Sequence, residues 1–162
     1  MGEGFVMASL GNDWIEILFN GANVFVLPFW LLMIALPGWE WTRKVMRSPL
    51  PFVALALVYL AFFVGSIDPE TANNFADTSL SNLAQLFSDE KVMATGWVHY
   101  LVMDLFVGRW IHQNAQENQI WVRHSLLLCL FAGPLGLLSH LTTVWVTGLV
   151  RGPSLESTPA EG

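Results

Sequence analysis

The sequence is short of charge, and of positive charge above all. Of its 162 residues 12% are Asp, Glu, Lys or Arg, and the seven basic ones face thirteen acids. No basic patch or basic–aromatic interleaving follows from that balance, so no nucleic acid is expected as a partner. The single cysteine, Cys129, sits in an apolar run, and one thiol builds neither an internal disulfide nor a cysteine-based metal site. The four histidines are scattered and lack the i, i+3 or i+4 spacing of helical metal sites, so no metal is expected. Also missing are a Gly-rich phosphate loop, a dinucleotide fingerprint and a Ser-His-Asp order. No basic n-region or small-residue cleavage site accompanies the N-terminus, so the first hydrophobic segment is expected to be retained.

What the chain has is oil. Apolar residues make up 54% of it and the mean hydropathy is +0.50, which points to lipid as the solvent. A bilayer-crossing helix takes about 20 mostly apolar residues, and four stretches approach that length: about 14–36, 50–67, 92–111 and 120–150. The predicted fold is all-α, a polytopic membrane bundle of four transmembrane helices forming one domain over 1–162, with 152–162 a disordered tail. Between helices two and three, Phe75, Leu80, Leu83, Leu86 and Phe87 recur among acids, the pattern of an amphipathic segment on the membrane surface. The fourth stretch is too long for a simple crossing, and Gly133-Pro134 with Gly136 predicts a kink or break there.

Arg43, Lys44 and Arg47 make the densest basic cluster and lie between helices one and two, next to Trp39 and Trp41 at an expected interface. Arg109 and Arg123 flank the next tight loop. By the positive-inside rule both tight loops face the cytoplasm, and the amphipathic linker and both termini face the other side.

Ionisable side chains at membrane depth are costly and mark functional or tightly paired positions. Asp104 lies eight residues before the polar connector at His112, about 12 Å inside the helix end. Trp97, Tyr100, Leu101, Asp104 and Gly108 share one helical face, and His99 lies on another. If helices three and four pack antiparallel, Asp104 comes near Arg109, Arg123 and His124. That arrangement serves a structural ion pair as well as a catalytic acid, and both readings stand. His99 and His140 fall in the opposite half, where they would meet as helix–helix hydrogen-bonding groups or as ligand contacts. Many aromatics could line a groove for a long apolar ligand, although interface anchoring accounts for them equally well.

Two segments carry a family resemblance: Trp97-Val-His99-Tyr100-Leu101-Val-Met-Asp104-Leu105-Phe106-Val-Gly-Arg109, and Glu117-Asn118-Gln119-Ile120-Trp-Val-Arg123-His124-Ser125. They resemble the plant abscisic-acid-deficient-four family, associated with neoxanthin synthesis. Gly133-Pro134-Leu-Gly136-Leu-Leu-Ser139-His140, Leu27-Pro28-Phe29, Thr42-Arg43-Lys44-Val45-Met46 and Phe87-Ser88 extend the resemblance, which covers roughly residues 24 to 141. It implies a four-helix membrane protein of a thylakoid or bacterial inner membrane. The implied reaction is a cofactor-free isomerisation of violaxanthin to neoxanthin, in which an epoxide opens to an allene without net redox change, or an accessory role in it. Such a reaction needs a general acid at the epoxide oxygen and a base at the polyene. The resemblance directs those roles to Asp104, His99 and His124, with Arg109 and Arg123 tuning charge and His140, Trp97 and Tyr100 in ligand contact. Plant members carry a transit peptide and this sequence starts almost at its first helix, so the implied homologue is bacterial, of cyanobacterial type. The partners expected are a carotenoid or other apolar pigment, membrane lipid and other membrane proteins of a complex. A second reading is a non-catalytic pigment-binding or assembly subunit of a photosynthetic membrane complex.

Overall fold

A computed structural model describes residues 3–66 and 78–151. Among them the chain is all-helical, with seven helices: α1 (Glu3–Ala35), α2 (Glu40–Arg47), α3 (Leu50–Ser66), α4 (Leu80–Leu86), α5 (Glu90–Asn118), α6 (Arg123–Phe131) and α7 (Gly133–Arg151). The first half of the amphipathic linker and the 152–162 tail lie outside the described residues. The described half of that linker contains α4.

By length and composition, α1 (over Trp14–Ala35) and α7 can cross a membrane, and α2 with α3, bent by 43°, makes up to a third crossing. The expectation of four such helices is therefore not met. The missing one is α5, whose middle carries His99, Asp104 and Arg109. It is also the helix against which α1, α3, α6 and α7 all pack, so its polar groups can face protein and need not face lipid. Outward-facing Ile17, Leu31, Leu57, Val64, Trp145 and Leu149 give the bundle an apolar surface, as lipid contact requires.

Local chemistry explains the element ends. Asp89 caps α5, its carboxylate accepting the N–H groups of Lys91 and Val92 at 2.9 and 3.1 Å, and Gln119 closes it in the left-handed region at φ 53°. The helix runs on through 112–118, which the sequence reading made a polar connector. The polar side chains there find protein partners: His112 Nε2 lies 2.8 Å from the Pro37 carbonyl, Gln113 donates to the Met46 carbonyl at 3.3 Å, and Asn114 meets His140 at 2.9 Å. The basic loop is likewise helical. In α2 Thr42 and Met46 are buried, and the Thr42 hydroxyl donates to the Leu36 carbonyl at 2.8 Å.

Pairings give the directions of the helices. Asn23 meets Trp97, Trp30 and Met33 lie over Gly108, and the Pro37 carbonyl meets His112, so α1 runs parallel to α5. Tyr59 lies by His99 and Ser66 by Thr95, so α3 runs antiparallel. The fourth predicted segment does more than kink. Ser125 bonds Ser139, and His124 bonds Thr143. Continuous helix would hold residues 125 and 139 about 21 Å apart. So α6 and α7 double back as a helical hairpin about Ala132, and the apolar Phe131 at its apex is 84% exposed. The hairpin begins where Arg123 donates to the Ala35 carbonyl at the end of α1. It ends where Arg151 donates to the carbonyls of Asn118 and Gln119 at the end of α5. Trp14, stacked on Phe62, and Arg151 therefore lie at opposite ends of the bundle, where the sequence reading had both termini on one side.

Candidate functional site

The predicted site residues divide between two places. His99 and Tyr100 turn toward α3. With Tyr59, Phe63, Ser66, Phe87, Thr95 and Gly96 they line a half-open groove of ≈ 200 Å³. The chain has two tyrosines, Tyr59 and Tyr100, and both are here. The His99 ring lies 5.9 Å from Tyr59 and 6.1 Å from Tyr100, and Tyr59 stacks on Phe63 at 5.7 Å. At one end of the groove the Ser66 and Thr95 hydroxyls meet at 3.0 Å. Phe87, following α4, presses so closely on α5 that a Cβ on Gly96 would lie 2.6 Å from its ring. An imidazole between two phenols on an aromatic wall can exchange a proton with a ligand seated there and is otherwise apolar.

Asp104 belongs to the second place. Its carboxylate lies against Gly133, where the positive end of α7 begins. A Cβ on Gly133 would collide with that carboxylate, so the apex of the hairpin sits directly on Asp104. The Cys129 thiol donates to the Asp104 backbone carbonyl at 3.4 Å. The predicted basic company is elsewhere: Arg109 donates to the Arg47 carbonyl at 3.3 Å and lies over the Phe52 ring at 5.1 Å, while Arg123 holds Ala35. His124 bonds the Thr143 hydroxyl at 3.0 Å and stacks on Trp121. His140, fully buried, bonds Asn114 under the edge of Trp110.

His99 and Asp104 stay apart. Five residues separate them, about 7.5 Å of rise and about 140° around the helix. His99 and His140 do not meet either, since His140 is beside Asn114, about 22 Å further along α5. Trp97, seven residues before Asp104 and on the same face of α5, donates to Asn23 at 2.9 Å. Tyr59, Ser66 and Thr95 went unnoticed in the sequence. The available signal was that the chain has two tyrosines, one of them beside His99.

The groove and the hairpin as far as His140 fall within residues 17–140, and over that range the chain matches the family described as ABA DEFICIENT 4-like. The chain belongs to that family. The ABA DEFICIENT 4-like region takes in Tyr59, His99, Tyr100, Asp104, His124 and His140 and stops short of Thr143. Over 142 residues the chain is 40% identical to a protein of Arabidopsis thaliana named Protein ABA DEFICIENT 4, chloroplastic. The aligned part is 81% of this chain and 64% of the relative, so the chain spans just under two thirds of that protein's length. No solved structure matches it.

Proposed function

We propose that this ABA DEFICIENT 4-like chain is a multi-pass membrane protein that seats the epoxide end group of a xanthophyll in the His99 groove and isomerises it to the allene, as in violaxanthin to neoxanthin. The observation that carries the reading is the aromatic groove with its one imidazole and two phenols. At ≈ 200 Å³ it is smaller than the ~300–1,000 Å³ of whole-ligand pockets. It suits a ring-sized end group, with the polyene lying along the half-open side toward lipid. A tyrosine hydroxyl or the protonated imidazole gives a proton to the epoxide oxygen, and the carbon–oxygen bond breaks to leave a tertiary alcohol. The imidazole takes a proton from the neighbouring vinylic carbon, whose electrons complete the allene. One proton is gained and one lost, so no redox cofactor is needed. His99 carries the chemistry in this scheme, and Asp104, His124 and His140 hold the hairpin that encloses the far half of α5.

In the proposed topology α1, α3 and α5 cross the membrane, with α5 crossing over about 92–111 and shielded by its neighbours. The α6–α7 hairpin enters from the side of α2, which the positive-inside rule places in the cytoplasm or stroma. This arrangement replaces the four full crossings read from the sequence and fits a thylakoid or bacterial inner membrane.

The test is pigment chromatography on a bacterial host accumulating violaxanthin, with and without the protein. A neoxanthin peak from the wild type, absent from His99→Gln while violaxanthin still co-purifies with that variant, is the expected result. Violaxanthin that co-purifies unchanged with the wild type would replace the isomerase with a pigment-binding subunit. Neither product nor bound pigment would overturn both readings.

A further inference from the structure

A second pocket lies at the other end of the bundle. The short helix α2 has the build of an interfacial helix: Thr42 and Met46 are buried under it, Trp39 and Trp41 are exposed beside it, and the Lys44 ammonium lies 5.0 Å over the Trp41 ring. Arg43 and Arg47, one turn apart, face the last turns of α5 across a cavity of ≈ 230 Å³ also lined by His112, Gln113, Gln116 and Glu117. The backbone around it is fixed from behind, Arg109 and Gln113 holding the carbonyls of Arg47 and Met46. Among the described residues no carboxylate pairs with either pocket guanidinium. Two guanidiniums against the one carboxylate of Glu117, with amide donors beside them, make a receptor for an anion.

The remaining groups narrow its chemistry. His112 is 1% exposed, and its Nε2 faces the Pro37 carbonyl, which can only accept. Nε2 therefore carries the hydrogen, and in the neutral ring Nδ1 presents a lone pair. That Nδ1 is buried and without a partner. Burial holds the imidazole below its ordinary range, and Arg43 pushes the same way against the pull of the Pro37 hydrogen bond. His112 lies just past the crossing part of α5, so its surroundings are protein and the interface. A bare anion gains nothing from Glu117. A hydroxyl group can donate to its carboxylate.

We propose that the pocket between α2 and the end of α5 binds a monoanionic headgroup that also carries free hydroxyls, of the phosphoglycerol type, with the phosphodiester on Arg43 and Arg47 and the hydroxyls toward Glu117. The same chemistry is offered by a membrane lipid, phosphatidylglycerol, and by a soluble phosphodiester, glycerophosphoglycerol.

The experiment is native mass spectrometry of the full chain in detergent, titrated separately with phosphatidylglycerol, phosphatidylethanol and phosphatidylcholine. Phosphatidylethanol has the same charged phosphodiester without hydroxyls, and phosphatidylcholine has no net charge. One phosphatidylglycerol should be retained in preference to both. The double variant Arg43→Gln with Arg47→Gln should weaken that retention about tenfold or more. Because both side chains are on the exposed side of α2, its unfolding temperature without lipid should stay near that of the wild type. Glu117→Gln should narrow the preference over phosphatidylethanol. Glycerophosphoglycerol competing at equal concentration would assign the same site to a soluble ligand. Equal retention of phosphatidylglycerol and phosphatidylcholine, or retention unchanged in a double variant that is still folded, would overturn the proposal.

Discussion

Asp104 is tolerated in the middle of an oily bundle because it has a partner that carries no formal charge. A helix begins with N–H groups that its own backbone does not use, and α7 begins within the protein, where water is not at hand to bond them. The Asp104 carboxylate sits at the first of these, against Gly133. A carboxylate placed this way acts as a cap contributed from another helix, so removing its oxygens should loosen the hairpin. Asp104→Leu is expected to lower stability in detergent by about 1–2 kcal/mol, and Asp104→Asn, which keeps an acceptor, by less. Thermal unfolding of the two variants measures the difference. Equal stability in both with turnover lost in both would return Asp104 to the chemistry. His99 is the contrasting case. It is exposed in the groove between two tyrosines and has no helix end to hold, so changing it should alter product and leave folding alone.

Among the elements, the α6–α7 hairpin depends on small residues most closely at Gly136. A Cβ there would lie 2.5 Å from the Cys129 Cα and 2.6 Å from its backbone nitrogen. Backbone cannot swing aside as the end of a side chain can. Gly136→Val should therefore cost roughly 1–3 kcal/mol or more by forcing the two arms apart. Gly148, further along the same helix, has nothing within 4 Å of a built Cβ, so Gly148→Ala should lose no stability and can gain by helix propensity. Chemical or thermal denaturation of both variants checks the contrast. Much of this element was legible beforehand. Gly133-Pro134 marked the break, and proline is tolerated in the first turn of a helix, where its missing N–H is not needed. The sense of the break was not legible, because it depends on Ser125 finding Ser139 and His124 finding Thr143, contacts that apolar periodicity does not report. The same holds at the end of α5. His112, Gln113 and Asn114 read as loop by polarity, yet all three are taken up by α1, α2 and α7. The apolar runs of α1 and α3 carried their own signal, and α5 was found in spite of its charges. The groove was half legible: His99 and Tyr100 stood out as polar groups in an apolar run, whereas Tyr59 gained meaning only once α3 lay beside α5.

For the whole molecule, the proposed topology means an odd number of crossings. The proposed topology puts the chain beyond Arg151 on the side of α2 and the start of α1 on the other. A green fluorescent protein fused at the C-terminus in a bacterial host should fluoresce, as should one fused after Met46, and alkaline phosphatase should be inactive at both places. Phosphatase active at the C-terminus would mean that α7 crosses after all, a role its length and composition permit. The division of labour agrees with this topology. The His99 groove lies toward one end of the bundle with Ser66 and Thr95 at its end, the basic pocket of Arg43 and Arg47 lies at the other, and α5 joins them as a single helix of 29 residues. In the proposed topology the hairpin about Ala132 also limits how this stretch of sequence could be rearranged. Two copies joined tail to head would have to begin the second copy on the wrong side of the bilayer, so a tandem duplication could not give two working halves without an added helix to carry the chain back across.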